Sequence, residues 1–174
     1  GGTGSGGAYV FTGSGATWTR EARLPLPSGN NWMGVALQGN TIAQSDPASN
    51  VVYLYDRTGT IWNRTATITL PATGHDAFGD RLALSGTLLG ATADGLFYLY
   101  SHTGAGWVLA QSFGGGGIAS DLALANLGKT FVLTNPFDST QGYSNGIVKI
   151  FDTPPPPAPG GGWHDDDVGA VGIA

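Results

Sequence analysis

The chain repeats itself, and the period of that repeat constrains its fold more than any other feature. An aromatic–aliphatic–aromatic triplet, a Gly-containing turn and a single Trp follow one another three times. The triplets are Tyr9-Val10-Phe11, Tyr53-Leu54-Tyr55 and Tyr98-Leu99-Tyr100. Trp18, Trp62 and Trp107 come after them, 44 and then 45 residues apart. A fourth triplet, Lys149-Ile150-Phe151, arrives 51 residues after the third and is not followed by the Trp strand.

A second repeated unit lies between these hairpins, over residues 33–47, 78–92 and 118–136. Each copy alternates apolar and polar residues, turns, and runs into another short apolar stretch, which is the signature of a strand pair. Gly39-Asn40, Ser85-Gly86 and residues 126–128 supply turn chemistry. In the second copy the pattern predicts strands over 35–37, 41–45, 51–56 and 61–70.

Four antiparallel strands recurring every ~40–50 residues make a β-propeller blade. One small twisted sheet cannot bury both of its faces, whereas blades stacked around an axis bury each against the next. The expected fold is therefore all-β, a propeller of four-stranded antiparallel blades. About three and a half blades are present, a partial ring. The Trp residues are expected to pack between blades. A sandwich built from the same hairpins would show no fixed period.

Composition agrees. Charged residues make up 11% of the chain and Gly accounts for 30 of 174 residues, a mixture that favours strands and turns over helices. The net charge is −5 and the few Lys and Arg are scattered, which argues against binding nucleic acid or anionic membranes. No apolar run reaches the ~20 residues of a spanning helix. With no cysteine, thiolate chemistry, disulfides and Cys-ligated metals are excluded.

Phe78-Gly79, the hairpin start Leu82-Ala83-Leu84-Ser85-Gly86 and Gly90-Ala91 resemble the FG-GAP repeat. That repeat is the blade of integrin-α-type propellers and of many secreted bacterial proteins. The likeness runs over residues 7–152 and implies an extracellular, secreted or cell-surface setting. Met33-Gly34 and Ile118-Ala119 stand in place of Phe-Gly in the flanking copies. The family often carries a calcium loop, which would fall here at 45–50, 92–97 and 135–145. None of these has the alternating acidic pattern. Asp46 with Asn50, or Asp138 with Asn145, would supply only part of a site, so ordinary Asx-turns and no cofactor are expected.

The domain reading is a Gly-rich linker over 1–6, blades over 7–152, and a Pro/Gly linker over 153–162. Residues 163–174 then open a following module whose Asp-Val-Gly-Ala-Val-Gly run resembles the start of a concanavalin A-like sandwich. A chain beginning Gly-Gly is expected to be a piece of a longer protein.

Convergent acid, base and nucleophile groups are missing from the sequence. His75, His102 and His164 read as exposed loop residues, and Asn63-Arg64-Thr65 matches the N-glycosylation pattern. The expectation is a chain that is not an enzyme but an extracellular scaffold for adhesion, protein interaction or surface assembly. Its partners would be a protein or glycan at the cell surface, with neighbouring copies or missing blades completing the ring. Two alternatives are a carbohydrate-binding propeller, with Trp32, Tyr143 or Trp163 stacking on sugars, and an accessory domain of a secreted enzyme.

Overall fold

Period-two alternation between tight turns builds thirteen strands among the described residues. A computed structural model describes residues 6–27, 33–70, 77–114, 121–125, 130–135 and 147–152. The strands are β1 (Gly7–Ser14), β2 (Thr17–Pro25), β3 (Val35–Gln38), β4 (Thr41–Asp46), β5 (Val51–Thr58) and β6 (Ile61–Thr69). They continue as β7 (Leu82–Ser85), β8 (Leu88–Ala93), β9 (Leu96–Thr103), β10 (Gly106–Gly114), β11 (Asp121–Ala125), β12 (Thr130–Asn135) and β13 (Ile147–Asp152). A 3-10 turn, Pro47–Ser49, joins β4 to β5. Among the described residues no helix is long and apolar enough to cross a membrane.

The strands pair as four separate antiparallel sheets, β1-β2, β3-β4-β5-β6, β7-β8-β9-β10 and β11-β12-β13. The chain is thus an all-β partial propeller, with two complete blades between a two-stranded and a three-stranded one. We call them the first to fourth blades. Inner strands β3, β7 and β11 adjoin one another. Gly39 and Gly86 take positive φ in the β3–β4 and β7–β8 turns, as the sequence predicts. Residues 1–5, 126–129 and everything from 153 onward lie outside the described residues.

One feature of the pairing recurs in every outer hairpin. The register slips by one residue between β1 and β2, β5 and β6, and β9 and β10, leaving Glu21, Thr65 and Ala110 as bulged residues. A bulge reverses the phase of alternation. In β6 it sends Trp62 toward the first blade, and Ala66 and Ile68 toward the third. Each blade therefore has two unlike faces. The leading face, turned to the preceding blade, carries the two outer triplet aromatics and the Trp. The trailing face, turned to the next blade, carries aliphatics, joined in the third blade by Phe97.

These faces build the core. Tyr53, Tyr55 and Trp62 of the second blade meet Ala8, Val10 and Leu24 of the first. Tyr98, Tyr100 and Trp107 of the third meet Ala43, Val52, Leu54 and Ile68 of the second. Phe97 and Leu99 then meet Leu122, Phe131 and Leu133 of the fourth, with Phe97 stacked on Phe131 at 5.5 Å.

Phe78-Gly79 latches the second blade to the third. Phe78 is wholly buried among Val52, Leu54 and Tyr98, edge-on to Tyr98 with centroids 5.8 Å apart. Its amide donates to Asn50 Oδ1 at 3.1 Å. Gly79 has φ +81, and a Cβ there would lie 2.4 Å from Ser45 Cβ and 2.9 Å from Val52 Cγ2. Its backbone therefore touches the neighbouring blade, which only glycine allows. Met33-Gly34 is not its counterpart. Gly34 bonds Ser45 (amide to Oγ, 2.7 Å) as Arg81 bonds Thr92 (amide to Oγ1, 3.1 Å), so the structural alignment is displaced by two residues from the sequence one.

Candidate interaction surface

The boundary between the first and second blades shows what a leading face requires. Glu21 leaves the β2 bulge toward the second blade, and its side chain is only 6% exposed. There it pairs with the Arg57 guanidinium and accepts the Trp62 indole N–H at 2.8 Å. Arg57 also lies over the Trp62 ring, 5.9 Å from its centroid. Behind this triad Gln44 is fully buried, donating to the Leu24 carbonyl at 3.3 Å across the same boundary. Its Oε1 has no partner among the described residues. An aromatic face is thus met by small aliphatic residues plus one carboxylate.

At the next boundary the leading face is more apolar. Burial, with repulsion from Tyr98 second, pushes the Tyr100 phenol up to about 12. Burial also raises Tyr98. It raises Tyr55 as well, against the pull of Arg64 and with a push from Tyr53. Trp107 is half-buried against the second blade and stacks on His102 at 5.0 Å. His102 itself is an exposed residue of β9.

The leading face of the first blade is built in the same way and is uncovered. Tyr9 pairs with Arg23, Phe11 with Arg20 and Gly13 with Trp18, placing all of these on one side of the hairpin. Tyr9, Phe11 and Trp18 are 52%, 54% and 62% exposed. Arg20 and Arg23 lie over Tyr9 at 5.7 and 6.0 Å, repeating the Arg64–Tyr53 contact at 5.0 Å. Among the described residues Trp18 therefore has no blade to pack against, unlike Trp62 and Trp107. No described residue precedes its blade in the array. Three exposed aromatics flanked by two guanidiniums form the candidate interaction surface.

Trp62, Trp107, Tyr53, Tyr98, Phe78 and Gly79 occupy blade boundaries, while Tyr9 and Trp18 lie on the open face. Trp32 and Tyr143, the candidate sugar contacts, lie outside the described residues, as do His75, Trp163, His164, Asp138 and Asn145. Asp46 is buried, and Asn50 accepts the Phe78 amide as the left-handed cap of the 3-10 turn. Among the described residues no three His, Cys, Asp or Glu side chains converge as metal ligands. Sequence reasoning missed Glu21 and Arg57, whose acid–base signal is legible only once the bulge is known.

No family model matches the chain, and no curated protein matches it. Solved structures do. A protein from Lactobacillus plantarum superposes with a TM-score of 0.57 at 14% identity, over 83% of this chain and 44% of that one. The chain thus spans under half the length of that relative. Myxococcus xanthus glutaminyl cyclase matches with a TM-score of 0.42 at 18% identity, over 86% of this chain and 67% of that one. At these identities the likeness is one of fold alone. The expectation that the chain is not an enzyme does not stand, because the fold it shares with a solved structure does not assign a non-catalytic role. Scarcity of catalytic groups within these repeats is no ground for a non-catalytic assignment.

Proposed function

We propose that the chain belongs to an extracellular propeller of the FG-GAP type that serves as a scaffold for adhesion, protein interaction or surface assembly. It engages a protein partner through the leading face of its first blade. The observation that carries this reading is the contrast between equivalent faces. Tyr53/Tyr55/Trp62 and Tyr98/Tyr100/Trp107 are covered by a neighbouring blade, while Tyr9/Phe11/Trp18 are more than half exposed. Exposed aromatics beside Arg have the composition of protein-binding hot spots. The Phe78-Gly79 latch supports the FG-GAP likeness, since both residues act at a blade boundary.

Adhesion of beads coated with the chain tests this reading. Coated beads should adhere to one another or to beads carrying other proteins, and the double variant Phe11→Asp, Trp18→Ala should abolish that adhesion. Adhesion that survives the double variant, or its absence on every protein-bearing surface, contradicts the proposal.

A further inference from the structure

We propose that Asn63 is an N-glycosylation site, carrying an oligosaccharide on the outer rim of the second blade. The proposal rests on the reading of the chain as extracellular and adds a modification to it.

Asn63-Arg64-Thr65 is the single triplet in the sequence that fits the acceptor pattern, with a residue other than proline at its centre. It falls on β6, the outermost strand of the second blade, whose far edge pairs with no described strand. The second blade has a neighbour on each side. Glu21 of β2 reaches Trp62 of β6 from the first blade, and β10 of the third blade adjoins β6. Asn63 is exposed with both neighbours in position, so its access to solvent does not depend on which blades precede or follow this chain. Packing in β6 is carried by other residues. Trp62 turns into one boundary, and Ala66 and Ile68 into the next. A bulky polar chain can therefore leave Asn63 without displacing a packed side chain.

The bulge sets when the sugar is attached. Asn63 stands opposite Asp56, and Thr65 is the residue that the register slip leaves unpaired. The Thr65 hydroxyl donates to Asp56 Oδ2 at 2.7 Å, while the Thr41 hydroxyl donates to Oδ1 at 2.7 Å. Pairing of β5 with β6 thus commits the hydroxyl that completes the acceptor pattern, and transfer precedes that pairing, during export of the unfolded chain. The donor is an oligosaccharide on a lipid pyrophosphate. Asn63 Nδ2 bonds to C1 of the sugar and the bond from C1 to the pyrophosphate oxygen breaks. The lipid pyrophosphate departs, and one amide proton passes to a base. Once attached, the oligosaccharide lies beside a strand edge whose free N–H and C=O groups would otherwise template pairing with another chain.

Secretion of the full 174-residue chain from eukaryotic cells, behind a fused secretion leader, tests this by mass spectrometry. The peptide holding Asn63 should carry added mass that peptide N-glycosidase removes, leaving a carboxylic acid on that side chain. Asn63→Gln and Thr65→Ala should each lose the added mass completely, and Thr65→Ser should keep it. Asn63→Gln should melt with the enzymatically deglycosylated wild type, because the side chain is exposed. A secreted wild type with an unmodified Asn63 overturns the proposal, as does added mass that persists in Asn63→Gln. A glycosylated chain whose beads adhere to nothing contradicts the interaction surface and leaves the Asn63 site standing. A chain that adheres but is unmodified does the reverse.

Discussion

Trp62 donates its indole N–H to Glu21 across the boundary between two blades, at 2.8 Å. The same carboxylate holds Arg57, so one nearly buried acid satisfies two donors from the next blade. Truncating it leaves a guanidinium and an indole N–H facing apolar surface. Glu21→Ala is expected to lower unfolding stability by about 2–4 kcal/mol in chemical denaturation. Glu21→Gln should lose less, because an amide oxygen can still accept from Trp62.

Gly79 should be intolerant of any side chain. Its φ of +81 strains an L residue, and the Cβ would enter contact distance with both Ser45 and Val52. Gly79→Ala is expected to reduce stability by about 3 kcal/mol or more. Gly39→Ala is the internal control. Its φ is also positive, +55, but its Cβ would meet open space, so a loss of about 1 kcal/mol is expected. Thermal melting of the two variants side by side separates collision from backbone strain.

Tyr100 makes stability fall in alkali. Its folded pKa of about 12 stands above the ordinary value of 10.0, so the folded state holds a proton that the unfolded chain releases. Its ionisation leaves stability undiminished below pH 10 and lowers it as the pH rises toward 12. Tyr100→Phe should remove about 2–3 kcal/mol of that decline. At neutral pH the substitution should be neutral or stabilising by up to ~1 kcal/mol, since the buried hydroxyl has no partner among the described residues. Urea titrations at pH 7, 10 and 11.5 measure both effects.

Much of the blade was legible because its physics is local. Alternation and turn residues located β3 to β6 to within two residues at each end, and the Trp period marked successive blades. What was not legible depends on the bulge. Trp18, Arg20, Ala22 and Leu24 lie two apart and read as one continuous face. Glu21 interrupts the pairing, so Trp18 belongs to one side of the hairpin and Leu24 to the other. Nothing in the spacing announces the extra residue. The exposure of Trp18 was hidden for a different reason, since it is set by the neighbour a blade has and not by its own sequence. The shared glycine puts Met33-Gly34 two residues out of register with Phe78-Gly79, whereas the turns at Gly39 and Gly86 fix the register.

The most direct measurement compares Trp62→Ala with Trp18→Ala by chemical denaturation of the dilute chain. Packing of unlike faces predicts that losing Trp62, wedged against the first blade and bonded to Glu21, costs about 2–4 kcal/mol. Losing Trp18 from its open face should cost within ~0.5 kcal/mol. Equal losses at the two positions, or a larger one at Trp18, would contradict the assignment of a covered and an uncovered leading face.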